Sequence, residues 1–152
     1  MAGLARIDTM RSASIKTKVR SGGQIRADDT FIRAFNNLLS SRLPILAVVD
    51  ADNKVTGVIT GNDLAKKFQE EFDKETETSL RERLANVKVG DMAVRQPGVA
   101  SSVENLREVA EQMIKNQFTK LIVVEDLASM KFSGTVDMLD LVGEILITDN
   151  NK

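Results

Sequence analysis

The chain has 152 residues, 42% hydrophobic and 28% charged, with a formal net charge of −1. That composition belongs to a globular protein long enough to bury a core, neither disordered nor membranous. It contains no histidine, cysteine, tryptophan or tyrosine, which removes disulfides, the usual zinc sites, Ser-His-Asp triads and Cys-His pairs, and favours binding or regulation over catalysis.

The N-terminal stretch MAGLARIDTMRSASIKTK holds no apolar run of signal-peptide length, and no run in the chain approaches a transmembrane span. With the absence of cysteine this leads to the expectation of a cytoplasmic protein that does not touch a membrane. Residues 1–26 carry Arg6, Arg11, Lys16, Lys18, Arg20 and Arg26 against Asp8 alone. We expect residues 1–14 to be a solvated basic arm, with an acidic face of a second subunit, a ligand phosphate or nucleic acid as its candidate contacts. Nucleic acid is disfavoured, because the arm has no aromatic residue for base stacking and no known motif.

Past Gly22-Gly23, Asp28 or Asp29 is positioned to cap a helix whose apolar stripe is Phe31, Ala34, Phe35, Leu38 and Leu39. A strand from Leu46 to Val49 follows, ending at the acid Asp50 and the turn DADNK. A second strand from Val55 to Thr60 leads into a helix expected to bury Leu64, Phe68 and Phe72. The densely charged stretch from 66 to 84 reads as a helical connector, with Ser79 and Glu82 starting a second short helix.

The same order then recurs. Leu106, Val109, Ala110, Met113 and Ile114 reproduce the first stripe shifted by 75, behind a capping box expected from Ser101 and Glu104. Leu121 to Val124 reproduces the first strand at the same shift and ends at Glu125. The turn EDLASMK is two residues longer, so GTVDMLDL at 134–141 echoes GVITGNDL at 57–64 with a shift of 77. The last helix is expected to bury Leu141, Ile145 and Leu146. A constant offset across whole elements marks a tandem duplication, divided as residues 15–76, a connector over 77–88, residues 89–147 and a tail over 148–152. The strand-turn-strand steps are too short for parallel crossovers, so each should be an antiparallel hairpin. One copy alone buries little, which favours packing of the two sheets about a pseudo-two-fold axis with a cleft between them.

These residues resemble a tandem pair of cystathionine β-synthase (CBS) domains, the arrangement called a Bateman module. The resemblance covers roughly residues 15–147 and rests on VVDADNKVTGVITGNDL (48–64), VVEDLASMKFSGTVDMLDL (123–141) and VGDMAVRQPGVASSVENLREVA (89–110). It implies an α/β fold of the α+β kind, two β-α-β-β-α repeats, and a homodimer. It also implies a regulatory role: binding of an adenosine-containing ligand such as AMP, ADP, ATP, NAD or S-adenosylmethionine between the repeats, signalling to an unidentified partner protein, and no catalysis.

The family's T-x-x-D element falls on Gly57, Thr60 and Asp63. A carboxylate just inside a helix N-terminus is steadied by free N–H groups and the helix dipole, and it can accept two hydrogen bonds from a ribose diol. Thr60 would add a hydroxyl to the ribose or a phosphate, and Gly57 close backbone approach. The competing reading is that Asp63 only caps its helix. In the second copy Gly134 and Asp140 match, but Asp137 replaces the hydroxyl residue, and its charge would repel phosphates. Asp137 with Asp140 is also a conceivable cation bridge, although a solvated acidic turn is the better reading. By resemblance, the adenine slot would take Ile25 and Val99 (or Ala100), with Ala47 and Ile122 from the following strands, and Lys120 would face a phosphate. Each of these is also an ordinary core or surface residue. The rival reading is a ligand-free dimerisation or protein-interaction module, with nucleic-acid binding through the arm third.

Overall fold

A computed structural model describes residues 14–41, 45–92 and 98–150, with side-chain environments described as far as residue 147. Contacts divide the chain into two units, one of residues 23–97 and one in which the residues up to 22 join those from 98 onward.

In the first unit, β1 (Gln24–Arg26) lies parallel to β2 (Ile45–Val49), which pairs antiparallel with β3 (Val55–Thr60). The helices are α1 (Phe31–Ser41), α2 (Gly61–Phe72) and the short α3 (Leu80–Ala85). Alternation sends Ile25, Leu46, Val48 and Ile59 to one face of this sheet, where they form a core with Phe31, Ala34, Leu64, Leu84, Val87, Val89 and Met92. The second unit repeats the order, with β4 (Val99–Ser101) parallel to β5 (Lys120–Val124) and β5 antiparallel to β6 (Phe132–Asp137). Its helices are α4 (Leu106–Asn116) and α5 (Met138–Asn150). Its core holds Ala100, Leu106, Val109, Ala110, Met113, Leu121, Val123, Val136 and Leu141.

Both hairpins form as expected, and both carry the same irregularity. Val48 pairs with Gly57 and Val49 with Val55, so Thr56 is an extra residue; Ser133 is the extra residue where Val123 pairs with Gly134 and Val124 with Phe132. A bulge kept at equivalent positions, one residue before each glycine, is a built feature of the repeat. The turns differ in length but end alike, on Asn53 at φ 63° and Met130 at φ 56°.

The unit boundaries depart from the division expected at 15 and 89. Ile15 is fully buried in the core of the second repeat, and its N–H donates to Glu104 O at 3.0 Å. Val89 is fully buried in the core of the first repeat, its N–H donating to Asp29 O at 2.7 Å. The segment leading into each repeat therefore packs on the other repeat. Periodicity cannot show this, because it reports local pattern and not which sheet a short extended segment joins.

Helix starts need correction. α1 is capped by Thr30, whose Oγ1 accepts from Arg33 N at 3.2 Å; Asp29 instead accepts from Arg26 N at 3.1 Å in the turn before it. α4 is capped by Asn105, which accepts from Arg107 N at 2.9 Å and Glu108 N at 3.3 Å. The Glu104 carboxylate reaches back to Ser101 N at 2.5 Å, so the expected box closes a turn ahead of the helix. Ser79 does cap α3, accepting from Glu82 N at 3.2 Å. The apolar stripes are wider than the cores take up. Phe35, Leu39, Phe68 and Phe72 are exposed, as are Ile114 and Leu146, whereas Leu64 and Leu141 are buried.

Candidate functional site

Each unit has a strand-helix junction where β3 runs into α2, or β6 into α5. At the first, Thr60 is still extended (φ −119°, ψ 167°) and serves as the cap of α2. Its Oγ1 accepts from Asp63 N at 3.2 Å. Asp63 Oδ2 in turn accepts from Thr60 N at 2.9 Å and from the Thr60 hydroxyl at 3.0 Å. This reciprocal box satisfies N–H groups that the helix leaves open. Asp63 is only 4% exposed. The capping role weighed against ligand binding is thus real, and all three bonds run through Oδ2 or the hydroxyl.

The sheet face opposite the core continues from this junction. Ile45 is the register partner of Thr60, Ala47 of Val58, and Gln24 of Ala47, so these five residues share that face. Ala47 is fully buried there. Ile25, expected beside it, pairs with Val48 and belongs to the core; the strand alternates, and Gln24 is the residue that sequence reasoning missed. Gly57 pairs with Val48 immediately after the bulge.

In the second unit the same face carries Val99, Lys120, Ile122, Thr135 and Asp137. Here Val99 and Ile122 are together, and Ala100 is the core residue. Lys120 Nζ lies 2.8 Å from Asp137 Oδ2, and Leu139 N donates to Asp137 Oδ1 at 2.8 Å. The Lys120 hydrogen bond, working against partial burial, holds the Asp137 carboxyl below the ordinary carboxylate range. The cation expected for a ligand phosphate is therefore paired, and the carboxylate expected to repel phosphate is compensated. Asp140 accepts a two-point hydrogen bond from Arg20, Nε to Oδ2 at 2.8 Å and Nη2 to Oδ1 at 3.0 Å. Arg95, which stands 75 residues after Arg20, lies outside the described residues. Among the described residues no group of three or more acidic side chains is placed to hold a metal ion, and Asp137 and Asp140 are engaged by Lys120 and Arg20.

A separate feature of the first unit is an open apolar cavity of about 540 Å³ between α1 and α2, lined by Phe31, Ile32, Phe35, Leu38, Leu39, Leu64, Ala65 and Phe68. In the second unit Ala110, Ile114, Val142, Ile145 and Leu146 line a smaller one between α4 and α5, with Arg107 and Glu111 at its rim. No helix among the described residues is long and apolar enough to cross a membrane.

Comparison with known proteins bears on this geometry. The CBS domain family model matches residues 24–70. No curated protein sequence matches the chain. Solved structures do. CBSX2 of Arabidopsis thaliana, a CBS-pair protein solved in complex with AMP, is 21% identical, with a TM-score of 0.68 over 90% of this chain and 98% of that one. CbpB in complex with c-di-AMP is 12% identical, with a TM-score of 0.78 over 99% of this chain and 97% of that one. The CBS domain pair of protein MJ0100, with 5′-methylthioadenosine and S-adenosyl-L-methionine, is 20% identical, with a TM-score of 0.62 over 92% and 98%.

Proposed function

Starting from a chain that carries a CBS domain at residues 24–70 and has the fold of a CBS-domain pair throughout, we propose that it is a regulatory module that binds an adenosine-containing ligand. The observation that carries this reading is the Thr60–Asp63 junction, an acid-hydroxyl pair fixed at a helix N-terminus inside the matched segment. Asp63 would accept the ribose diol, with Thr60 beside it and Gly57 on the same strand. Ala47 in the first repeat, and Val99 and Ile122 in the second, supply apolar surface for a base on the same sheet face as their junction. Asp140 is the second carboxylate of this kind.

Support for the ligand class comes from relatives of the same fold solved with AMP, c-di-AMP and S-adenosylmethionine. The role is regulatory and not catalytic, with output to a separate partner protein. A cytoplasmic location belongs to this reading, on the strength of the cysteine-free composition. So does a homodimer, for which the exposed apolar faces of α1, α2, α4 and α5 are the support.

The ligand-free interaction module remains the second reading, and the internally paired charges at Asp137 and Asp140 favour it for the second repeat. For nucleic-acid binding, Lys18 and Arg20 are already paired with Glu144 and Asp140, while Arg6 and Arg11 of the expected arm lie outside the described residues. Melting the protein in the presence of AMP, ADP, ATP, NAD, S-adenosylmethionine and c-di-AMP tests the proposal, because a ligand specific to the folded state raises the midpoint in proportion to ln(1 + [L]/Kd). A concentration-dependent rise with at least one adenosine compound is expected; a flat response to all six would reject the reading.

A further inference from the structure

Residues 14–20 form a strap docked on the second repeat. Arg20 and Thr135 exchange both backbone hydrogen bonds, at 2.8 and 2.9 Å. The side chain of Arg20 then presents its guanidinium edge to Asp140, one nitrogen to each carboxylate oxygen. One turn further along α5, Lys18 Nζ lies 2.9 Å from Glu144 Oε2.

A vicinal diol approaches a carboxylate in the same two-point manner, with one O–H donor for each oxygen. The Arg20 edge already holds that position at Asp140, the counterpart of Asp63 in the second repeat. We propose that Arg20 is a built-in competitor for this site: its guanidinium must leave Asp140 before a ribose diol can bind there. This rests on the reading of Asp140 as a diol acceptor and adds the regulation of that acceptor.

Two features make the contact a gate and not a permanent lock. The Arg20 side chain is 67% exposed, so its ion pair forms largely in water and contributes little to stability. The strap is held independently, by the Arg20–Thr135 backbone pair and by the buried Ile15, so the guanidinium can swing away without undocking the strap. Nearby charges do not replace it, because Lys120 is paired with Asp137 and Lys18 with Glu144.

Adenosine is the probe of choice, since it has the diol and no charge; removing a cation then has no direct Coulomb effect on the ligand. The intact chain would be titrated calorimetrically as wild type, Arg20→Gln, Arg20→Gln with Asp140→Asn, and Asp63→Asn. Arg20→Gln is expected to tighten an Asp140-dependent class of sites by about 1.4- to five-fold, the range set by an exposed ion pair. Adding Asp140→Asn should abolish that gain. If Arg20→Gln fails to fold, Arg20→Lys serves, because lysine keeps the charge and loses the two-point edge. Unchanged or weaker binding in a folded Arg20 variant, with binding that depends on Asp63 intact, overturns the gate and leaves the proposed function standing. Silence toward adenosine in every form overturns the gate, and the proposed function is then decided by the melting series with the six adenosine compounds.

Discussion

Lys120 and Asp137 face each other across β5 and β6 as register partners, with their charged groups 2.8 Å apart. Ile45 and Thr60 hold the equivalent places in the first repeat. The aspartate and the lysine are therefore one compensated difference between the repeats. Read separately along the sequence, they suggest a repelled phosphate at one residue and an attracted phosphate at the other. Paired, they leave that corner of the second unit close to neutral.

This pair has a pH signature. Asp137 is held below the usual range, so its contribution to stability is in place above the unfolded value of about 3.9 and is lost as pH falls through the folded value. Lys120→Met is expected to move the carboxyl back up toward its ordinary value and to flatten the loss of melting temperature below about pH 4. Carboxyl NMR titration of both proteins checks this. An Asp137 titration that ignores the substitution would contradict it.

Gly134 faces the strap. A Cβ there would overlap the Arg20 carbonyl oxygen and crowd Val19. Gly134→Ala should destabilise by about 1–3 kcal/mol and speed hydrogen exchange at Arg20 and Thr135, as overpacking against backbone does. At Gly61, the first residue of α2, a Cβ meets nothing within 4 Å. Gly61→Ala should be neutral or stabilising by up to about 1 kcal/mol. Equal losses at the two positions in denaturant unfolding would contradict the docked strap.

Glu71 anchors the connector. Its carboxylate is 3.0 Å from Lys74 and 3.3 Å from Arg83, and Arg83 also bonds Glu71 O, Thr76 Oγ1 and Thr78 O. The side chain is nearly buried, and the Lys74 hydrogen bond lowers its carboxyl from the ordinary value. Glu71→Ala should lower the melting temperature and open residues 73–79 to limited proteolysis, because the cations lose the group that gathers them. Unchanged cleavage would show that the connector is held by other contacts.

The apolar faces make a prediction about assembly. Leu39 is 66% and Phe72 61% exposed, with Phe72 stacked on Phe68 at 5.9 Å between centroids. Phe35→Glu with Leu39→Glu should shift sedimentation from dimer toward monomer while preserving the fold, since neither side chain belongs to the core. A wild-type protein that sediments as a monomer at micromolar concentration would contradict the proposed homodimer.

The duplication, both hairpins and the limits of the four hairpin strands were legible from the sequence to within a residue, because a constant offset reports those elements together. The short strands β1 and β4 have too few residues to show an alternation of their own. Side-chain faces were less legible. Ile25 was matched with Val99 or Ala100. Ala100 keeps the shift of 75 and is a core residue like Ile25. Val99 stands at a shift of 74, and in a strand one residue of slip exchanges the faces. The helix stripes were legible as apolar but not as buried: Phe68 and Phe72 fit the period of α2 as well as Leu64 does, and only packing separates them. Ion pairs such as Arg20–Asp140 join residues 120 positions apart, and no local pattern announces them.

The central claim is that the Thr60–Asp63 junction receives an adenosine-containing ligand. Calorimetric titration with AMP, comparing wild type with Asp63→Asn, tests it most directly, since asparagine keeps an oxygen for the helix cap and loses the charge that accepts the diol. Saturable binding in the wild type, weakened at least about ten-fold in the variant, a loss of roughly 1.4 kcal/mol, is the predicted result. Equal affinity in the two proteins would contradict the claim.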